Sequence, residues 1–196
     1  MKKYELTNET IKYREKNLYR IKALIDFGNV EKGARGGFIE KEENLSMYGD
    51  AWVYGDALVY GNAKVCDNAK VCDNAKVYDD ALVCDNALVS GNAKVCDNAK
   101  VYGNALVYGD AKVCDNALVY KSIDYAEING FGTCCRPTTF FRCKDKIVKV
   151  SCGCFLGTID EFRNRVKNTR DGKIAKEYLM IADLMELHFS VDGYDD

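Results

Sequence analysis

Histidine is nearly absent from this chain: His188 is the single one in 196 residues. Imidazole is the side chain best suited to take a proton near neutral pH, so almost the whole sequence lacks that kind of base. Proline is as scarce, with Pro137 alone. No apolar run approaches the roughly 20 residues a membrane-spanning helix needs, so no membrane partner is expected. Charge is nearly balanced, 28 Lys and Arg against 30 Asp and Glu, for a net −2. No whole-protein basic field therefore argues for nucleic-acid binding. The start, Met1-Lys2-Lys3-Tyr4-Glu5, is charged and carries no apolar export core, which points to a cytoplasmic location.

Cysteine, by contrast, is plentiful. Ten of them in a short secreted chain would suggest a disulfide framework. Here no export signal is visible, and Cys66, Cys72, Cys84, Cys96 and Cys114 share one position of a repeat. Reduced thiols are the expectation. The length suits one sizeable domain, or a core with two small caps.

The repeat is the dominant feature. From Gly49 to Tyr120 the chain runs through twelve six-residue units in one register, GDAWVY, GDALVY, GNAKVC and onward to DNALVY. Glu43–Tyr48 (ENLSMY) fits as a thirteenth, with Leu45 and Met47 in the apolar places. Each unit reads Gly/Asp, Asn/Asp, Ala, X, Val, Z. Ala and Val lie two apart, so in an extended strand they share a face, and X points the other way. The leading pair is turn chemistry, since those residues tolerate left-handed backbone. Each unit is then a short strand plus a corner. One turn of such units cannot enclose a core, whereas stacked turns can.

The Ala-X-Val triplets resemble the left-handed β-helix family of hexapeptide-repeat proteins. In that family three hexads close one triangular turn around an inward aliphatic residue. The resemblance implies left-handedness; period alone does not, since parallel crossovers are usually right-handed. The glycine that commonly follows the aliphatic is here Tyr, Cys or Ser. With eighteen residues to a turn, positions eighteen apart stack at about 4.8 Å. Val53, Val71, Val89 and Val107 then form an inner column. The outward columns are Trp52, Lys70, Leu88 and Leu106; Leu58, Lys76, Lys94 and Lys112; and Lys64, Leu82, Lys100 and Leu118. At the Z position Tyr60 stacks on Tyr78, Tyr102 on Tyr120, Cys66 on Cys84 and Cys96 on Cys114.

The ends are not repetitive, and solenoid ends need covering. Residues 1–42 read as an N-terminal β cap with a hairpin turning at Glu15-Lys16-Asn17. The stretch YRIKALIDFGNV…GGFIEKEENLS resembles the leaders of bacterial and prophage-borne hexapeptide-repeat proteins. Lys121–Asn129 is expected to continue the column irregularly, giving a β-helix over 43–129. Residues 130–196 read as a small α+β unit. Thr138–Cys143 and Ile147–Cys152 form strands, and Thr158-Ile159-Asp160-Glu161 is a capping box opening a first helix. A second helix, about Ile174–Phe189, carries Ile174, Tyr178, Ile181, Met185 and Phe189 on one stripe. VSCGCFLGTIDEF is similar to tails of phage and prophage hexapeptide-repeat proteins.

Four chemistries have candidate residues in this sequence. Many left-handed β-helix proteins are acyltransferases that use a histidine base between subunits, but no unit here holds a histidine and no loop interrupts the repeats. Enzyme activity is therefore not expected. Cys134, Cys135, Cys143, Cys152 and Cys154 are candidate zinc ligands, but their spacing fits small buried cysteines better, and neither a metal nor a cofactor is expected. Asp79, Asp80, Asp97 and Asp115 fall at one corner and form an acidic edge that could imitate a phosphate backbone. Finally, the outward Trp52, Leu88 and Leu106, together with the row Lys76, Lys94 and Lys112, are candidate partner-binding positions.

The sequence therefore reads as a mainly β protein, a single-stranded left-handed parallel β-helix with an N-terminal β cap and a C-terminal α+β unit. The expected function is a non-catalytic interaction protein of phage or mobile-element type. A counter-defence inhibitor of a host protein or protein–nucleic-acid complex, such as a CRISPR effector, is one concrete version. A homo-oligomer, dimer or trimer, is expected. The alternatives are an acyltransferase-like enzyme and a protein that sequesters a nucleotide or other small molecule.

Overall fold

In the computed structural model, which describes residues 2–190, the six-residue units wind into a parallel β-solenoid of about five turns. Twelve two-residue strands recur every six residues, from β4 (Trp52–Val53) to β15 (Leu118–Val119). They sort into three walls. One contains β4, Lys70–Val71 (β7), Leu88–Val89 (β10) and Leu106–Val107 (β13). The second contains Leu58–Val59 (β5), Lys76–Val77 (β8), Lys94–Val95 (β11) and Lys112–Val113 (β14). The third contains Lys64–Val65 (β6), Leu82–Val83 (β9), Lys100–Val101 (β12) and β15.

Register within the walls is strict. Trp52 pairs with Lys70, Lys70 with Leu88 and Leu88 with Leu106, each in parallel and each eighteen residues apart. Backbone bonds such as Leu58 N to Ala75 O, at 2.9 Å, join one turn to the next. All twelve Ala and all twelve Val of the units are buried. One small and one branched side chain per strand fill the narrow interior at near-crystalline density.

The corners explain the leading residue of each unit. Asp67, Asp73, Asp79, Asp85, Asp97 and Asp115 all have φ between 56° and 61°, and glycine fills the remaining six corners at positive φ. Few other residues sit there without strain. Aspartate does more than tolerate the geometry. The carboxylate of Asp73 accepts from Gly91 N, that of Asp85 from Gly103 N, both at 2.9 Å, and that of Asp97 from Asp115 N at 3.1 Å. The following Asn forms a second rail: Asn68 donates to Asn86, Asn86 to Asn104, and Asn92 to Asp110.

The N-terminal hairpin forms from β1 (Tyr4–Tyr13) and β2 (Lys16–Ala23). Its turn is Arg14-Glu15, one residue before the expected one. Both residues have positive φ, as a two-residue hairpin turn requires. The hairpin extends the second wall through β3 (Arg35–Ile39), which pairs in parallel with β5. Here the eighteen-residue rule breaks. Phe38 sits over Leu58 and Leu45 over Val65, both twenty residues apart. Glu43–Tyr48 is therefore not a regular unit. Glu42–Asn44 is a 3-10 turn, Leu45 takes the valine place, and Met47-Tyr48 make up the two extra residues that restore the register at Ala51, leaving Tyr48 exposed.

The two ends of the column are sealed with opposite chemistry. At the first turns side chains donate to open carbonyls: Lys3 Nζ to Ala51 O at 3.0 Å, Asn44 Nδ2 to Ala63 O and Tyr4 OH to Leu45 O, both at 2.8 Å. At the last turn side chains accept from open N–H groups: Ser122 Oγ from Leu106, Tyr125 Oη from Tyr108, Glu127 from Asp110 and Thr139 Oγ1 from Lys112. Buried or half-buried backbone is thereby kept paired where the ladder stops.

After Tyr120 the parallel ladder ends, although Tyr125 is still buried with the column core and Ser122, Tyr125 and Glu127 bond to the turn before. A 3-10 turn (Ser122–Asp124) leads into β16 (Tyr125–Ile128), which pairs antiparallel with β17 (Thr138–Arg142). β18 (Val148–Cys152) and β19 (Phe155–Thr158) complete a four-stranded antiparallel sheet. The expected capping box is present: Thr158 Oγ1 accepts from Glu161 N, and the Glu161 carboxylate accepts from Thr158 N at 2.8 Å. It opens α1 (Ile159–Thr169), which buries Ile159, Phe162 and Val166. α2 (Gly172–Ser190) buries Tyr178, Ile181, Met185 and Phe189, with Ile174 only half-buried. Among the described residues no helix is long and apolar enough to cross a membrane.

Candidate interaction surfaces

On the first wall the structure corrects the expected outward apolar column. Trp52 is 1 % exposed. The N-terminal cap folds over it, with Phe27 at 5.3 Å and Tyr4 at 6.1 Å between ring centres, both edge-on. Trp52 is therefore an anchor for the cap and not an open contact. Leu88 is half-buried, and Leu106 is 43 % exposed, so the accessible part of this wall lies toward the last turn.

The second wall is similarly divided. Leu58 is buried with Leu18, Phe38 and Tyr60 under the hairpin. The Lys76 ammonium donates to Tyr13 OH at 3.2 Å and lies 4.8 Å from that ring's centre, so this lysine is occupied within the chain. Lys94 is exposed and Lys112 half-buried. The third wall keeps its alternation of Lys64, Leu82, Lys100 and Leu118, with both lysines exposed.

The acidic corner forms as a stack. Asp79, Asp97 and Asp115 lead successive turns, Asp80 N donates to Asp97 O at 3.0 Å, and Asn62 Nδ2 donates to Asp80 Oδ1 at 3.0 Å. Asp115 is held by Lys149 from β18, whose ammonium is pushed to a higher pKa by that contact. One end of the expected edge is thus neutralised by the C-terminal unit. Asp79, Asp80 and Asp97 remain exposed.

The thiols divide into two kinds. Turn stacking brings Cys66, Asp67 and Cys84 together, and likewise Cys96, Asp97 and Cys114, with ligand atoms within 4.8 Å of one another in each trio. Burial and the neighbouring Asp67 push the Cys66 thiol up to about 12, so it holds its proton at neutral pH, whereas the bond from Cys96 draws the Cys114 thiol downward. Among the described residues no three of Cys134, Cys135, Cys143, Cys152 and Cys154 come together. Cys143 is buried against the last turn of the column, Cys152 accepts a bond from Thr138 Oγ1 at 3.2 Å, and the other three are exposed. Cys134, Cys152 and Cys154 border one cavity, but no three ligand atoms of this set lie within 4.8 Å of one another.

His188 lies on α2, edge-on to Phe189 with ring centres 4.8 Å apart, and its Nε2 is buried without a hydrogen-bond partner among the described residues.

Two features were missed in the sequence. Met180, Leu184 and Leu187 form an exposed apolar stripe on α2, opposite in burial to the stripe at Tyr178, Ile181, Met185 and Phe189 although their spacing of four and three is equally helical. Arg136, Arg165 and Arg170 line one cavity in the C-terminal unit; they come from separate segments, and no sequence interval links them.

Comparison with known families gives one finding. The YdcK beta-solenoid repeat family is matched over residues 99–114, a span shorter than one full turn. No curated protein matches the chain.

Proposed function

We propose that this β-solenoid repeat protein is a non-catalytic interaction module that presents fixed ladders of side chains to a macromolecular partner. The observation that carries the reading is the regularity of the column: twelve strands follow one another at six-residue intervals, with no loop between them to shape a substrate cleft. A rigid frame of this kind offers a binding surface without an ordering cost. The open positions are Leu106 on the first wall, Lys94 on the second with Lys112 half-buried below it, Lys64 and Lys100 on the third, and Asp79, Asp80 and Asp97 along one corner.

The narrower reading rests on the leader and tail resemblances. It is a cytoplasmic protein of phage or mobile-element type that blocks a host protein or protein–nucleic-acid complex, with the acidic corner occupying a basic groove. Self-association accompanies it. Met180, Leu184 and Leu187 have the interval of a seam between paired helices, and a second copy presenting the same stripe covers it symmetrically.

The test is affinity capture from host cells with the intact chain and with Asp79→Asn/Asp80→Asn/Asp97→Asn. The reading predicts a nucleic-acid-binding protein held by the intact chain, released by raised salt and lost with the triple variant. Equal capture by both forms refutes the acidic-corner mechanism. Turnover of an acyl donor that disappears in His188→Ala refutes the non-catalytic reading as a whole.

A further inference from the structure

The C-terminal unit contains a cavity of about 200 Å³ that plays no part in capping the column. Its walls come from the β16–β17 loop, the β18–β19 turn, α1 and α2. Phe155, Phe162 and Tyr178 supply an aromatic side, with ring centres 5.6 Å apart for Phe155–Phe162 and 5.7 Å for Phe162–Tyr178. The Tyr178 hydroxyl donates to Phe131 O at 3.2 Å, which fixes that ring. Arg136, Arg165 and Arg170 supply three positive charges, and no Asp or Glu lines the cavity.

Charge on the neighbouring helix surface is balanced where the cavity's is not. Two residues from Arg165, on the same helix, Arg163 is bonded to Asp160, Asp183 and Glu186. Three carboxylates of the helical pair are thus spent on the arginine outside the cavity, while Glu161 closes the capping box and Glu177 pairs with Lys173. Arg136, Arg165 and Arg170 have no carboxylate partner among the described residues. Arg136 lies over the turn at Gly153, where a Cβ would come within 2.9 Å of its Nη1. Arg170 ends α1, its backbone N bonded to Val166 O and its Nη1 to Thr169 O. Three guanidinium-bearing side chains border one partly aromatic hollow, and an anion there gains positive counter-charges that no carboxylate in the lining neutralises. Guanidinium forks match phosphate oxygens in pairs. The volume lies below the usual range for drug-sized ligands, which limits the guest to a small one.

We propose that this cavity binds a small phosphomonoester carrying a flat apolar group, its dianion between Arg136, Arg165 and Arg170 and its flat part against Phe155, Phe162 and Tyr178. The assignment is independent of the function proposed for the column, and either can fail without the other.

The test uses the full chain and phenyl phosphate, inorganic phosphate and phenol as probes. In calorimetric titration at low salt, phenyl phosphate binds with a dissociation constant below about 1 mM. The other two probes bind at least tenfold more weakly, and Arg165→Gln/Arg170→Gln loses at least tenfold in affinity for phenyl phosphate. A second measurement needs no substitution. Cys134 and Cys154 line the cavity, whereas Cys135 is exposed outside it. Bound phenyl phosphate slows alkylation of Cys134 and Cys154 and leaves Cys135 unchanged. Phenol or inorganic phosphate binding as tightly as phenyl phosphate overturns the proposal. So does an unchanged affinity in a folded double variant, or equal alkylation of the three thiols with and without ligand.

Discussion

Truncating Val89 to alanine should cost far more than truncating Leu88, its neighbour on the same strand. Val89 is 0 % exposed and sits between Val71 and Val107 in the first wall. Removing two buried methyl groups forfeits about 1.6 kcal/mol of transfer energy. The hole left behind cannot close, because backbone bonds hold the turns on either side: Cys72 N to Val89 O and Ser90 N to Val107 O, both at 2.9 Å. With the cavity included, Val89→Ala should destabilise by about 2–3 kcal/mol. Leu88 points outward and is half-buried, so Leu88→Ala should cost under about 1 kcal/mol. Urea unfolding followed by far-ultraviolet circular dichroism reads both, and the slope of the transition reports whether the unfolded reference has changed. A Leu88→Ala variant as unstable as Val89→Ala would mean that the strands present the opposite face to the interior, and the reasoning would be refuted.

Three further outcomes follow from particular contacts. Asp85 combines φ of 56° with an accepted bond from Gly103 N, so Asp85→Asn should leave the thermal midpoint nearly unchanged. Asp85→Ala, with no acceptor and a strained backbone, should cost about 2–3 kcal/mol; equal effects would contradict this. Burial pushes the Cys143 thiol up to about 11 and Cys66 and the Tyr60 phenol up to about 12, from ordinary values of 9.0 and 10.0. The unfolded chain loses these protons first, so stability should hold below about pH 9 and fall as pH rises toward 12. Lys3, brought down to about 8 by burial, acts in the opposite sense, as do Tyr13 and Cys114, both shifted downward, but the raised thiols and phenols, Cys72, Cys84, Tyr54 and Tyr102 among them, are more numerous. A urea midpoint that stays level to pH 11 would contradict the net sign. Leu184→Glu places a charge in the exposed stripe of α2 and should convert an oligomer to a monomer in light scattering without lowering helix content; an unchanged mass would exclude that seam.

The column was legible because every unit repeats the same local chemistry. Gly or Asp at the corner, Ala and Val two apart, and X between them determine burial and period together, and the walls follow from counting eighteen. The two-residue displacement at Leu45 was not legible. Leu45 and Met47 have the same parity, so local pattern cannot tell which of them takes the valine place; the Asn44 amide bonded to Gly61 O and Ala63 O settles it. In β3, Gly37-Phe38-Ile39 takes the Ala-X-Val places with glycine standing for alanine. A Cβ at Gly37 would lie 2.6 Å from Ala57 O, a constraint that only the folded approach of the two segments reveals. Trp52 looked exposed because its unit places it outward; its burial depends on Tyr4 and Phe27, far earlier in the sequence, closing over it. The arginine cavity was hidden for a related reason, as its lining is assembled from segments between Thr133 and Tyr178.

Mild oxidation of the native chain followed by peptide mapping tests the stacking most directly, because the reporters are already in place. Cys66 lies over Cys84 and Cys96 over Cys114, at a strand spacing within disulfide reach. Cys72 shares its column with Tyr54 and Ser90, eighteen residues to either side, and has no thiol neighbour there. The account predicts that the first linkages within the repeats are Cys66–Cys84 and Cys96–Cys114, with Cys72 left free. Dominant Cys66–Cys72 or Cys72–Cys84 linkages would contradict it.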